Sequence, residues 1–355
     1  MNSSPLFTFI LAGYQTEPYL QKMLNSIENQ TFRDFEVICY VEDSTDRSLE
    51  ICRAMAERDP RFQVVSGPKS GAAGTTRNYG IDHAKGKYLA PLDGDDWLFS
   101  DMLEQLACKL EKTGETDVLT YAAISVENEK EDYEQAKRIS NFRQSDEEDV
   151  FSGLEAIRRS GRNGGAIHHF PWLSIYRVDF LREHRLYQSE RLLMEDCEWN
   201  PRVWFFAKRF AYLDRILYVY RRRPGSLTTE VSPRLALDLA RQFRSMASFT
   251  EKQQIPDDIL SIWGNQWISL VFWFLFHPVS SAKISDVDRK KALDILFAGD
   301  GWTQFLKFFS FASRPKRLAY PLILLAAKGF LFPAKIYFQS IYYPMIEWKM
   351  ASKES

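Results

Sequence analysis

Three carboxylates crowd four positions of the segment GKYLAPLDGDDW, residues 86–97: Asp93, Asp95 and Asp96 follow an apolar stretch that reads as a strand, and Trp97 closes the run. Like charges packed this closely repel one another unless something positive sits among them. Carboxylate oxygens at a strand end suit a hard divalent cation, Mg2+ or Mn2+, which takes one or two protein carboxylates and leaves positions for phosphate. A nucleotide diphosphate would fill those positions. The same acids could instead form an Asx-type turn capping a helix that begins near Ser100. A second acidic group, Glu195, Asp196 and Glu198 in LLMEDCEW, reads as the first turn of a helix, where the dipole favours acids. A carboxylate there can also take the proton from a hydroxyl nucleophile. On a helix Glu195 and Glu198 share a face at i, i+3, and Asp196 points elsewhere.

Positioning these groups takes a regular scaffold. Leu6–Ala12, Phe35–Val41, Phe62–Ser66 and Lys87–Leu92 read as strands, and Tyr19–Gln30, Arg47–Arg58 and Gly74–Ala84 carry helix-like spacing between them. Strands separated by helices imply βαβ units, an α/β fold with a Rossmann-like, mostly parallel sheet covered by helices. Ligands of such sheets sit outside the carboxyl ends of the strands, so the polar segments 13–18, 42–46, 70–78 and 93–96 should line one crevice. Residues 127–149 read as a charged, solvated excursion whose end, SDEEDV, leads into the next helix. From 151 onward the pattern is helical and rich in aromatics, in HHFPWLSIYRVDFL (168–181) above all. Trp172 and Trp199 could stack on a sugar ring or pack in a core. His168 and His169 could face an acceptor or lie in a loop.

A formal net charge of −1 with 26% charged residues over 355 positions does not point to nucleic acid. Cys39, Cys52, Cys108 and Cys197 form no CxxC pair, and with no secretory signal ahead of them a reduced, cytoplasmic setting is expected. The apolar runs Trp267–Phe276 and Leu318–Phe332 fall short of the ~20 residues of a spanning helix, so no transmembrane segment is expected. Residues 301–355 hold eight Lys or Arg, two Glu and thirteen aromatics. That mixture fits a helix lying at a membrane surface, at the inner face of the cell membrane, and equally a helical subdomain packed on the core or used in an oligomer.

The segment GAAGTTRNYGIDHAKGKYLAPLDGDDWL (71–98) strongly resembles that of family 2 glycosyltransferases, in which an arginine-asparagine-x-glycine helix and an AxGxY turn precede an aspartate-x-aspartate signature. The matching residues are Arg77, Asn78, Gly80, Ala84, Gly86, Tyr88, Asp93, Asp95, Asp96 and Trp97. Residues 9–38 look like the family's first strand, tyrosine loop and first helix, VEDSTDRS (41–48) like its second acidic loop, LMEDCEW (193–199) like its glutamate-aspartate motif, and YRRRPGSLT (220–228) like its late arginine loop. Ala12 and Gly13 stand for a common proline-threonine pair and Gln15 for asparagine. The acidic pair of the second loop becomes Val41 and Glu42, with Asp43 in place of glycine.

The resemblance implies the glycosyltransferase A fold over residues 1–230, followed by a helical region over 231–355. It implies a nucleotide-sugar donor, probed by Ala12, Tyr14, Glu42, Asp43, Arg77, Asp93, Gly94, Asp95 and Arg221. Asp95 would hold Mn2+ or Mg2+, with Asp93 toward ribose and metal. Glu42 could accept a hydrogen bond from a uracil N–H or a ribose hydroxyl, and Arg77 should lie near the base or the phosphates. Arg221, Arg222 and Arg223, with Ser226 and Thr228, could close over the diphosphate. Asp196 becomes the base in an inverting transfer of one sugar, from a UDP-sugar, to a glycan or lipid-linked acceptor in polysaccharide assembly. No QxxRW segment accompanies it, which argues against processive synthesis. A nucleotidyltransferase would want a Lys- and Arg-dense Gly-rich loop after the first strand, which is not present. A sugar-nucleotide-binding scaffold would not need Asp93, Asp95 and Asp196 together.

Overall fold

The computed structural model describes residues 4–127, 133, 136–147, 149–162, 167–223, 232–277, 283–310, 320–328 and 331–343. The chain divides into two compact units, Met1–Pro224 and Gly225–Ser355.

In the first unit the opening βαβ series runs β1 (Phe7–Gly13), α1 (Glu17–Glu28), β2 (Phe35–Glu42), α2 (Ser48–Arg58), β3 (Phe62–Gly67), α3 (Gly74–His83) and β4 (Tyr88–Asp93). These four strands pair in parallel in the order β3-β2-β1-β4. All eight residues of β2 are buried, as expected of a strand covered on both faces. In α1, Leu20, Met23, Leu24 and Ile27 form the buried stripe. At the amino ends of the strands the buried Glu36 carboxylate accepts from Thr8 Oγ1 at 2.8 Å and Lys85 N at 2.7 Å, and Gly86 N donates to Thr8 Oγ1 at 2.9 Å. The AKGKY turn therefore fastens the entry of β4 at the end of the sheet opposite the polar loops.

After β4 come β5 (Trp97–Leu98), α4 (Met102–Thr113), β6 (Val118–Glu127), β7 (Lys137–Ile139), β8 (Val150–Phe151), α5 (Gly153–Arg162), β9 (Ser174–Arg177), α6 (Val178–Glu183), α7 (Glu195–Phe206) and β10 (Phe210–Arg222). The sheet continues β4-β9-β6-β10-β5, with β9 antiparallel to both β4 and β6, and β10 parallel to β6. The helical reading of everything after residue 151 is thus corrected: the thirteen-residue β10 and the short β9 are strands, and Val150–Phe151 pairs with β10 before α5 begins. Aromatic density misled because these strands sit inside the sheet, where a run without period-2 alternation is normal. Trp172 and Trp199 are core residues. Trp172 stacks on Tyr218 at 4.5 Å and on Phe170 at 4.9 Å, while Trp199 Nε1 donates to Leu186 O at 2.6 Å.

The described residues of the Gly225–Ser355 unit form helices joined by short turns: α8 (Pro233–Lys252), α9 (Asp257–Phe276), α10 (Asp286–Phe297), α11 (Gly301–Ser310), α12 (Tyr320–Ala327) and α13 (Leu331–Tyr337). Ser232 and Ser285 cap α8 and α10, each hydroxyl accepting from the backbone three residues on. Phe243, Trp267, Phe305 and Phe308 pack ring against ring between α8, α9 and α11. The apolar run ending at Phe276 belongs to the twenty-residue α9, which is long and apolar enough to cross a membrane, with a mean hydropathy of 1.4 over an 18-residue stretch of which 61% is buried within the protein. The core helix of a water-exposed domain has the same signature.

Candidate active site

The parallel register sets Ala12 beside Asp93 and Gly13 beside Val41, so the loops after β1, β2, β3 and β4 leave the sheet at one edge. Hydrogen bonds tie them together. Gln15 N donates to Ser44 Oγ at 2.9 Å, Thr16 N to Ser48 Oγ at 3.1 Å, and Glu17 N to Asp46 Oδ2 at 3.0 Å. Gly94 N donates to Ala12 O at 3.0 Å, and a Cβ on Gly94 would stand 2.9 Å from that same oxygen, so the turn after β4 closes on β1 only with glycine. Tyr14 carries Lys69 against it, the ammonium donating to its hydroxyl and lying 4.5 Å from the ring centre.

Glu42 is buried, and its carboxylate accepts from Ser70 N at 3.0 Å, from Gly71 N at 3.3 Å and from the Ser70 hydroxyl. It therefore organises the loop after β3. Asp43 is exposed beside it.

The three aspartates of the opening segment part company. Asp96 is fully buried, its Oδ2 accepting from the Tyr218 hydroxyl at 2.6 Å and its Oδ1 from Arg221 N at 2.8 Å. Burial, followed by the neighbouring Asp95 and Asp93, pushes its carboxyl well above the usual range. Asp96 is thus an anchor for β10. Asp95 and Asp93 remain at the edge, and each is met by an arginine: Asp95 Oδ2 by Arg223 Nε at 2.7 Å, Asp93 Oδ1 by an Arg77 terminal nitrogen at 3.1 Å. Arg221 Nε donates to Asp95 O at 2.7 Å, and its guanidinium lies over Tyr19 and Trp97 at 4.7 and 4.8 Å. Arg222 turns the other way, to Glu127 at 2.9 Å. Ser226 and Thr228 lie outside the described residues.

Arg77 is the joint of the site. It is buried, and its second terminal nitrogen reaches Glu195 Oε1 at 2.8 Å. One guanidinium therefore links the end of β4 to the start of α7. Next to it, Asn78 exchanges both amide hydrogen bonds with the backbone of Gln188, at 3.0 and 2.8 Å, which pins the segment leading into α7. Gly80 lies where a Cβ would stand 2.8 Å from Ile10, so α3 packs tightly on β1. The RNxG pattern thus has three separate jobs, of which sequence spacing shows none.

Met194 stands just before α7 in the left-handed region at φ 63°, a conformation rarely taken by a residue with a long side chain. The turn aims the acids of α7 differently. Glu195 faces Arg77, whereas Glu198 is buried against Arg202 at 2.7 Å, a pair within one helix. Asp196 is half-buried, its Oδ1 accepting from Cys197 N at 2.9 Å. Burial raises the carboxyls of Glu195, Asp196 and Asp93, and the Arg77 cation opposes this in all three. The backbone of His168 is clamped by Asn141, its ring stacks on Phe170 at 5.5 Å, and burial lowers its imidazole.

Among the described residues no three His, Cys, Asp or Glu side chains gather as a metal cage. Asp93 and Asp95 nonetheless fit a hard divalent ion bound together with a phosphate. They offer oxygen donors at one strand end; burial raises the Asp93 carboxyl most, Arg77 opposes this and Asp95 raises it again, so a cation there would add to the neutralisation that Arg77 and Arg223 already give.

Residues 8–185 match the family described as Glycosyl transferase family 2. EpsH of Bacillus subtilis (strain 168) is 28% identical over 252 residues, 70% of this chain and 70% of EpsH. Among solved structures, S. aureus TarS 1–349 in complex with UDP-GlcNAc superposes with a TM-score of 0.72 at 21% identity, covering 95% of this chain and 91% of that one. The mannosyltransferase PcManGT from Pyrobaculum calidifontis, in complex with GDP-Man and Mn2+, gives 0.51 at 16% identity over 92% and 87%. With its four-stranded parallel βαβ core, its mixed outer strands and this family match, the chain belongs to glycosyl transferase family 2 and is a glycosyltransferase of the glycosyltransferase A fold.

Proposed function

We propose that the chain transfers a single sugar, with inversion, from a UDP-sugar to a hydroxyl of a glycan or lipid-linked acceptor, as in the assembly of a bacterial surface polysaccharide. The observation that carries this reading is the Asp93–Arg77–Glu195 bridge, because it sets the strand-end carboxylates and the acidic start of α7 on two sides of one guanidinium. The Asp196 carboxylate takes the proton of the acceptor hydroxyl as its oxygen bonds to the anomeric carbon. The bond from that carbon to the β-phosphate oxygen breaks in the same step, and the nucleoside diphosphate leaves from the opposite face. With Asp196 as base, and with burial holding the neighbouring Cys197 thiol well above its usual range and so a poor nucleophile, a single displacement follows. Asp93 and Asp95 would hold Mn2+ or Mg2+, which supplies positive charge to the leaving diphosphate. Arg221 and Arg223 add charge at the same place. The UDP-GlcNAc held by TarS on this fold supports the choice of a uridine donor.

Asp196→Asn keeps size and shape but removes the base. Transfer should fall by about 10²-fold or more while donor affinity stays near that of the parent. Glu198→Gln, in its intrahelical pair, should cost far less. Full transfer by Asp196→Asn in a radiolabelled UDP-sugar assay would move the base elsewhere.

A further inference from the structure

The C-terminal helices turn apolar side chains toward water in an ordered way. Along α12, Pro321, Leu325 and Lys328 recur at i, i+4 and i+7 and are exposed, while Ile323 and Ala326 are buried. The next helix, α13, packs against α12 and repeats the device: Phe332 and Ile336 are exposed, Leu331 and Ala334 buried. Leu325 is 39% exposed, Phe332 73% and Ile336 46%. They are three of the six large hydrophobic side chains exposed among the described residues, so their gathering on two adjoining helices is not random scatter.

We propose that this surface docks on an anionic lipid bilayer, with Leu325, Phe332 and Ile336 entering the headgroup boundary and Lys328 facing the lipid phosphates. Charge selects this occupant. Residues 301–355 carry eight Lys or Arg against two Glu, although the whole chain has a formal net charge of −1. A positive excess confined to one end is drawn to an anionic surface. Lys328, just past the end of α12, is exposed and can follow the headgroups, while Lys335 neutralises Asp286 at 2.9 Å. The proposal is independent of the donor and acceptor assigned above, since it needs no turnover.

The test is co-sedimentation of the full chain with phosphatidylcholine vesicles, with and without phosphatidylglycerol, for the parent and for Phe332→Ser/Ile336→Ser. Both side chains are exposed, so the variant should melt like the parent. The parent should bind the anionic vesicles and release on raising the salt. The double variant should bind them about tenfold more weakly or worse, from the apolar area it no longer inserts. Equal binding of a folded variant and the parent would overturn the proposal, as would a parent indifferent to phosphatidylglycerol. A parent dimer in sedimentation equilibrium that the variant loses, without vesicle binding, would assign the patch to a second copy instead.

Discussion

Arg77 shows how much one side chain can decide. Its two terminal nitrogens serve two carboxylates in different parts of the chain, Asp93 and Glu195, and its fork geometry is what makes that possible. Arg77→Lys keeps the charge but offers a single ammonium, so one of the two acids loses its partner. The expected result is a drop in transfer of roughly 10-fold or more, from acids no longer held in register, with the folded state retained. Arg77→Met removes the cation and leaves the buried Glu195 and the partly exposed Asp93 uncompensated, which should destabilise the protein by about 3 kcal/mol. Chemical denaturation of the two variants, set beside their transfer rates, separates the effects. A lysine variant as active as the parent would mean that Arg77 only supports the fold. Asp95 and Asp96 make the converse point: they are neighbours of one residue type, yet one stands at the site edge with Arg223 and the other is sealed beneath Tyr218.

At the scale of elements, the clamp around Asp117 holds three of them together. Its Oδ1 accepts from Arg177 at 2.7 Å, at the end of β9, and its Oδ2 from Lys208 N and Arg209 N at 2.8 and 3.0 Å, before β10. Burial alone would raise this carboxyl, but the Arg177 hydrogen bonds and the two backbone donors outweigh it and hold it below the usual range. A group whose folded pKa is depressed contributes stability above its unfolded pKa and loses it as pH falls through the folded value. Melting followed from neutral pH downward should therefore show Asp117→Asn less stable than the parent by about 2–4 kcal/mol at neutrality, with the gap closing in acid. A gap constant with pH would remove the carboxylate charge from the explanation. Much of the first half was legible in sequence: β1 to β4 as short apolar runs, and α1 and α2 by an apolar face between polar loops; α3, which buries mainly small and polar residues from Gly74 to Ile81, also falls where a helix is expected. The clamp was not legible, since Asp117 and Arg177 lie 60 positions apart, and neither were β9 and β10, buried without alternation. The same limit applies at the site. The run of acids pointed to Asp93 and Asp95 and the family resemblance to Asp196, but the pairing of Arg77 and Arg223 with the first two, and the capture of Glu42 by Ser70 and Gly71, depend on contacts that only the folded chain makes.

For the molecule as a whole, a ligand that binds only the folded state raises its stability in proportion to the logarithm of its concentration over Kd. Among the described residues the groups assigned to the donor lie within Met1–Pro224, so UDP with Mn2+ should stabilise the transition of that unit. At about 100 times Kd the gain should approach roughly 2.7 kcal/mol. Where calorimetry resolves two transitions, only one should move. Asp95→Ala removes a carboxylate from the edge of the site along with its ion pair to Arg223, and a partly exposed pair of this kind contributes about 1 kcal/mol or less to stability. The variant should therefore melt close to the parent without ligand, respond to UDP much less, and lose the additional stabilisation that Mn2+ gives. If UDP alone stabilises parent and variant equally and Mn2+ adds nothing to either, the strand-end carboxylates do not hold a cation, and the diphosphate charge must be met by Arg221 and Arg223.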